Sequence, residues 1–255
     1  MIHQTAIVDK SAVIGKNVQI GPYAIIGENV VIGDDTIIFS HAVIECAEIG
    51  KNCKIFSHSA IGTPPQDLKY AGEKTKAIIG DGTVIREYAT VNRGTVAHGQ
   101  TVVGKNCLLM TSSHVAHDCI VGNNVIIANC CAIAGHVEIE DNVIMGGLAA
   151  IHQFTRVGKN AIIGGGAMVT MDVIPYAQAQ GDRAKLAGLN LVGLKRRQTP
   201  SEDIENIKHA YRVLFMSKLT LEQALLKLEE IKGCVPVEEI ITFIRKSQRG
   251  ICRHR

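Results

Sequence analysis

The chain has 255 residues, a net charge of +3, few aromatic rings and no Trp. That length admits one domain or two. The weak positive balance, with no basic stripe interleaved with aromatics, argues against a nucleic-acid surface and suits an acidic partner, and no apolar run reaches membrane-spanning length.

The N-terminal residues, Met1-Ile2-His3-Gln4, lack the basic-then-apolar order of a leader peptide. From Ile14 an apolar residue returns at every sixth position: Ile20, Ile26, Ile32, Ile38 and Ile44. A small or branched residue precedes each by two: Ala12, Val18, Ala24, Val30, Thr36 and Ala42. A helix asks for a period near 3.6 and a strand for about 2. A six is neither. It marks a parallel β-helix, a mainly β fold in which each unit is one short strand plus a corner. The apolar column points into a narrow prism, and the small column lets the corner close. Such a prism is filled by Ile, Val and Ala and has no room for large rings.

Ile49 arrives one residue early, which predicts a shortened turn; Ile55 and Ile61 follow the shifted frame. Residues 63–76, with Pro64-Pro65 and Gly72, have no place in a six-residue coil and are expected to project from a corner. The repeat resumes at Ile79, Ile85 and Val91. A second excursion, residues 93–100, keeps the six-residue register and is expected to replace a unit rather than add one. The column then runs unbroken from Val103 to Val169. Cys53, Cys107, Cys119 and Cys131 stand in the small column and read as small buried hydrophobes. Eight cysteines with no paired CxxC spacing fit free thiols in a reducing, cytoplasmic setting.

Pro175 ends the winding, giving a β-helical domain over 1–176 and a connector over 177–200 that carries Lys195-Arg196-Arg197. A small α-helical domain over 201–255 follows. Ser201 is expected to cap a helix with an apolar face of Ile204, Ile207, Tyr211 and Leu214. Thr220 and Gln223 form a capping box, and Gly233 is a stop signal. A last helix is predicted from about Val237 to Lys246, and the basic tail after Arg249 is expected to be less ordered. Helices this short need packing partners, and the open end of a β-helix needs a cover.

Three units per coil would stack residues eighteen apart, about 4.8 Å from one another. His117, Gly135 and Gln153 then form one vertical line, with Asp118, His136 and Phe154 beside it, at a corner. His117 suits a general base, since an imidazole accepts a proton near neutral pH. Asp118 is the nearest group to hold its tautomer. Gly135 has no side chain, so its N–H can approach a developing oxyanion, and Gln153 can bind a polar substrate atom. His114, His136 and His152 surround the same edge. Plain surface histidines are the bland alternative. A zinc site is the other, requiring three or four ligands; the spacing shows no local metal motif. Lys195-Arg196-Arg197 is either an exposed charged run or a phosphate contact. Gly164-Gly165-Gly166 lacks the context of a phosphate loop and is expected to line a groove or make a corner.

The segments Ser113 to Cys119, Ala134-Gly135-His136, Ile151 to Phe154, Gln66 to Glu73 and Gly193 to Arg197 together resemble the acyl-ACP–UDP-N-acetylglucosamine O-acyltransferase family of hexapeptide-repeat enzymes. The likeness runs over nearly the whole chain. It implies a left-handed parallel β-helix, although the usual crossover rule favours the right hand. It also implies a homotrimer with active sites between neighbouring prisms. The implied reaction moves an (R)-3-hydroxyacyl chain from acyl carrier protein to the 3-hydroxyl of UDP-N-acetylglucosamine, the first step of lipid A biosynthesis. By matching motif, His117 is the base, Asp118 orients it, and the Gly135 N–H stabilises the tetrahedral adduct. Asp67, Lys69, His114, His136, His152 and Gln153 resemble sugar-nucleotide and acyl-chain contacts. Asn190, Arg196 and Arg197 resemble uridine-diphosphate and carrier-protein contacts. Gly165 matches a groove position where a bulky residue shortens the pocket, so a longer acyl chain is implied. No metal or dissociable cofactor is implied. Two positions depart from the family pattern: Val192 stands where a Glu is common, and Asn92 where some members have His. O-transfer to the hydroxyl and N-transfer to a 3-amino sugar nucleotide both stay open. A zinc-dependent hydratase and a silent binding scaffold on the same fold are the remaining rivals.

Overall fold

The computed structural model describes residues 1–231 and 233–254. Short parallel strands wind into a prism with three faces. Nine strands from Ile7–Val8 to Met168–Val169 form the first face, and eight from Val13–Ile14 to Arg156–Val157 the second. The third runs from Gln19–Ile20 up to Ala177–Gln180 and Lys185–Leu189. A corner follows each face. Val115 pairs with Ile133, Ile133 with Ile151 and Ile151 with Val169, so one coil is eighteen residues.

The predicted column is the core. Every member from Val103 to Val169 is at most 2% exposed. Each such side chain contributes about 1.5–3 kcal/mol by leaving water, so the column dominates the energetics of the prism. The inward cysteines are buried as expected, and all four donate their S–H to a carbonyl of the next coil, Cys53 reaching Gly80 O at 3.3 Å. Cys107 reaches Gly122 O, Cys119 reaches Ala134 O and Cys131 reaches Gly146 O, each at 3.1 Å. Burial pushes the Cys119 thiol up to about 12.

Corners need one residue per turn in the left-handed region. Asn or Asp fills many of these places, including Asn17, Asp35, Asn106, Asp118 and Asn142, as their short polar side chains tolerate that conformation best. The second corner adds a cap. Asp34, Asp81 and Asp141 each accept the backbone N–H of a residue in the preceding coil: Lys16, Lys51 and Asn123.

The frame slip is real: Ile32 pairs with Ile49, one residue short of a full coil, and Cys46 in that turn has φ 40°. The 93–100 excursion departs from expectation. Ala77 pairs with Thr101, so that coil is six residues longer than the regular eighteen; the excursion adds a unit rather than replacing one. Its six-residue register concealed the addition, because Ala97 falls in column yet is exposed.

The segment over 177–200 is more than a connector. Ala177–Gln180 extends the third face in parallel and then pairs antiparallel with Lys185–Leu189. Helix α1 (Leu191–Arg196) follows, capped by Asn190. The antiparallel turn breaks the hexad, so no periodic signal announced it. Helices α2 (Ser201–Phe215), α3 (Leu221–Glu229) and α4 (Val235–Arg245) close the chain. Pro200 is the N-cap of α2, and Ser201 is the first helical residue, making no capping bond. Thr220 and Gln223 do form the capping box.

Helix α4 docks on the prism through charge. Arg156 lies 4.2 Å over the Phe243 ring and donates to Phe243 O at 3.1 Å. Glu239 accepts from both Lys159 and Tyr176. The tail is also anchored, contrary to expectation. Cys252 is 1% exposed and its N–H donates to Asp172 O at 2.8 Å, while Leu186 N donates to Arg253 O. Asp172 holds the junction, accepting from Arg156 N (2.8 Å) and Ser247 Oγ (2.7 Å).

Candidate active site

The first corner brings His117, Asp118, Gly135 and His136 together. His136 N donates to His117 O at 3.1 Å, and Phe154 N to Gly135 O at 3.2 Å. Residues 117, 135 and 153 therefore stack one per coil, as the repeat predicts. The His117 ring lies directly over Gly135, where a Cβ would sit 2.7 Å from both Nε2 and Cε1. Among the described residues the Gly135 N–H donates to no acceptor. At the second corner the equivalent amides are capped by Asp side chains; here the residue one coil on is Gln153, which is exposed with its neighbour His152.

His117 Nδ1 is 2.8 Å from Asp118 Oδ2. A carboxylate oxygen accepts, so the ring donates from Nδ1 and leaves Nε2 as the free nitrogen of the neutral form. Adjacent residues meet because Asp118 takes the left-handed corner conformation, φ 58°. Asp118 is 1% exposed. Burial by itself would raise its pKa. The hydrogen bonds from the Thr95 hydroxyl, His117 and the Thr95 N–H, together with the charge of His136, outweigh that, and the carboxyl is held below its ordinary value.

His136 stacks on Phe154 at 4.5 Å and meets His117 edge-on at 5.1 Å. Burial chiefly lowers its pKa; the charges of His117 and His98 assist, against Asp118 and Asp67. His114 bonds Thr90 Oγ1 through Nδ1 at 2.7 Å, and burial, then His117, lowers its pKa as well. A cleft of about 350 Å³ opens beside this group, lined by His98, His136, Phe154, Arg156 and Lys246 among others.

The projecting loop over 63–76 carries Asp67, whose charge weakly opposes the effect of burial on His136. Tyr70 pins it: its hydroxyl accepts from Arg93 Nε (2.9 Å) and Nη2 (2.7 Å) and donates to Glu73 O. Lys69 in the same loop is exposed.

One chain does not gather every candidate. Gly165 lies at the third corner, 3.3 Å from Gly147 O by its would-be Cβ. Asn190 is used in the fold: it donates to Asn160 O at 2.8 Å and accepts from Gly193 N at 3.0 Å. Arg197 donates to Asn142 Oδ1 at 2.8 Å, which puts α1 over the second corner, with Arg196 exposed beside it. Sequence reasoning missed Thr95 and His98, which reach Asp118 from the second excursion. Their contact spans twenty or more residues, and no local pattern marks it.

His117, Asp118 and His136 offer three ligand atoms within 4.8 Å of one another. Their donor chemistry does not suit a zinc ion. Both Asp118 oxygens already accept N–H or O–H groups, from Thr95 and His117, so the carboxylate is committed to hydrogen bonds. The arrangement is a hydrogen-bonded acid–base pair.

A prism of six-residue units bearing an oriented imidazole over a bare amide defines a hexapeptide-repeat acyltransferase. Residues 172–252 match the family model described as UDP N-acetylglucosamine O-acyltransferase, domain 2. Residues 100–135 match the bacterial transferase hexapeptide model. The acyl-[acyl-carrier-protein]–UDP-N-acetylglucosamine O-acyltransferase of Thermodesulfovibrio yellowstonii is 50% identical over 255 residues, 99% of each chain. That of Caulobacter vibrioides is also 50% identical, over 98% of this chain and 97% of its own. Among solved structures, the UDP-N-acetylglucosamine acyltransferase of Bacteroides fragilis superposes with a TM-score of 0.96 at 44% identity, covering 99% of this chain and all of its own. The Francisella novicida enzyme gives 0.97 at 40%, covering 99% and 94%. The chain belongs to the acyl-ACP–UDP-N-acetylglucosamine O-acyltransferase family, and its fold is that family's left-handed parallel β-helix. Among the described residues no helix is long and apolar enough to cross a membrane.

Proposed function

We propose that the chain transfers an (R)-3-hydroxyacyl group from acyl carrier protein to the 3-hydroxyl of UDP-N-acetylglucosamine, the first step of lipid A biosynthesis, in the cytoplasm. The observation that carries this reading is the His117 ring, oriented by Asp118 and held over the Gly135 amide.

His117 Nε2 takes the proton of the sugar hydroxyl as its oxygen attacks the thioester carbonyl. The Gly135 N–H, free of internal acceptors, donates to the oxyanion of the tetrahedral adduct. Collapse breaks the C–S bond, and the imidazolium returns its proton to the leaving thiolate. Asp118 stays ionised throughout and holds the Nδ1–H tautomer. Asp67 and Lys69 bind the sugar nucleotide from the loop, and His114, His136, His152 and Gln153 line the reacting groups. No step needs a metal or cofactor.

Asn190, Arg196 and Arg197 serve the uridine-diphosphate and carrier-protein contacts, and Gly165 leaves the acyl groove long. These residues lie at the second and third corners, away from His117. A homotrimer that sets one chain's first corner against its neighbour completes the site.

A second reading, N-transfer to a 3-amino sugar nucleotide, draws on Asn92. Its amide donates to Thr63 Oγ1 at 3.2 Å, while its buried Oδ1 accepts nothing among the described residues. An amine offers an extra N–H to such an acceptor. Mass spectrometry of the product formed from mixed hydroxyacyl carriers with both sugar nucleotides tests the proposal. An ester of UDP-N-acetylglucosamine supports it. An amide product moves the assignment to the amine, and unreacted thioester leaves only a binding scaffold.

A further inference from the structure

Asp118 is gripped on every side. Its Oδ2 accepts from His117 Nδ1 (2.8 Å) and the Thr95 hydroxyl (2.7 Å). Its Oδ1 accepts from Thr95 N (2.9 Å) and His98 N (3.2 Å). A carboxylate has about four lone-pair sites, so all are filled. The backbone is tied too: Asp118 N donates to Thr101 Oγ1 at 2.8 Å, and its carbonyl lies 3.2 Å from His98 Nδ1.

The direction of the Thr95 bond is forced. The Thr95 hydroxyl accepts from Ala97 N at 3.2 Å. Its one proton is then free for Asp118, which has none to offer when ionised. Gly99 N closes the same turn on Thr95 O at 2.7 Å. The neck of the turn is tight: a Cβ on Gly94 would sit 2.3 Å from Gln100 N. The six added residues of this coil thus fold into one compact turn whose buried contacts converge on Asp118.

We propose that the excursion over 93–100 is a positioning device for the catalytic pair, and that Thr95 is its central positioning residue. Thr95 fixes the rotation of the Asp118 carboxylate so that Oδ2 meets His117 Nδ1 and the Nε2 lone pair faces the substrate hydroxyl. This rests on His117 being the base.

The test compares Thr95→Val, which keeps shape but removes the O–H, with Thr95→Ser, which keeps the O–H. The valine variant is expected to lose roughly tenfold or more in kcat with the KM for the sugar nucleotide within about twofold. Its acidic limb in kcat/KM moves to higher pH. A carboxylate with one donor fewer holds the His117 proton more strongly, while the other facing groups, His98, His114, His136 and Asp67, are unchanged. The serine variant recovers wild-type kcat and pH profile. In an Asp118→Asn background, Thr95→Val adds little further loss, because the residue acts through Asp118. If Thr95→Val is as active as wild type, or multiplies fully with Asp118→Asn, the positioning role is wrong. If the valine variant fails to fold, a Thr95→Ser variant with altered kcat and pH profile also overturns the role. Loss of activity in His117→Ala together with normal activity in Thr95→Val removes this inference alone; retained activity in His117→Ala removes the base and the inference with it.

Discussion

The His117 imidazole rests on Gly135 so closely that a methyl group there would lie 2.7 Å from Nε2 and Cε1. The two residues are eighteen apart, one coil of the prism. The contact is therefore a product of the repeat, and under the proposed mechanism it sets the base beside the amide that meets the oxyanion.

Gly135→Ala tests that contact. Gly135 has no positive φ, so the backbone accepts alanine. The methyl group must displace the imidazole, and a misplacement near 1 Å costs about 100-fold in rate. We expect kcat to fall about 100-fold while stability changes by only about 1 kcal/mol. Steady-state kinetics and a denaturant melt on the same preparation check both; wild-type kcat would contradict the geometry.

Tyr70→Phe tests the loop. The hydroxyl joins Arg93 to Glu73 and so ties one excursion to the other. Its loss frees Asp67 and Lys69 without touching the acid–base pair. The KM for the sugar nucleotide is expected to rise severalfold with kcat little changed. A selective fall in kcat would move the loop from binding to chemistry.

Asp172→Ala tests the junction of prism and helices. The buried carboxylate accepts from Arg156 N and Ser247 Oγ. Its removal orphans both donors and is expected to destabilise the chain by about 2–3 kcal/mol, read as a lower midpoint in urea. An unchanged midpoint would mean the tail and α4 dock without it.

Acid should weaken the fold in two stages. His114 and His136 are held below the ordinary imidazole value, chiefly by burial. Their folded forms stay neutral while the unfolded chain takes up protons near pH 6.5. The stability they contribute is complete above that value and falls as pH drops toward their folded pKa. Asp118 is held low by its donors, after burial has opposed them. Its contribution is present above about pH 3.9 and is lost as pH falls through its folded pKa. Urea midpoints measured across this range should decline from about pH 7 downward, and His114→Asn should flatten the first stage. A midpoint that rises on mild acidification would contradict the assignment.

The prism was legible because its signal is strictly periodic: every inward residue from Val103 to Val169 could be named from spacing, and so could the stack of His117, Gly135 and Gln153. The Thr220 capping box was legible because it is local. The added coil over 93–100 was not, since Ala97 kept the column while leaving the core. Nor was the hairpin over 177–189, where antiparallel pairing obeys no hexad. Thr95 and His98 were invisible for a related reason. Their contact with Asp118 depends on how far one turn projects, which spacing does not report. The tail beyond Arg249 looked loose in sequence because its anchors, Asp172 and Leu186, lie far upstream.

The most direct test of the central claim is single-turnover acyl transfer from hydroxyacyl carrier protein to UDP-N-acetylglucosamine by wild type and His117→Ala at equal concentration. The account predicts ester from wild type and about 100-fold to 10,000-fold slower transfer by the variant, with the same circular dichroism spectrum for both. Transfer by His117→Ala at the wild-type rate would contradict it.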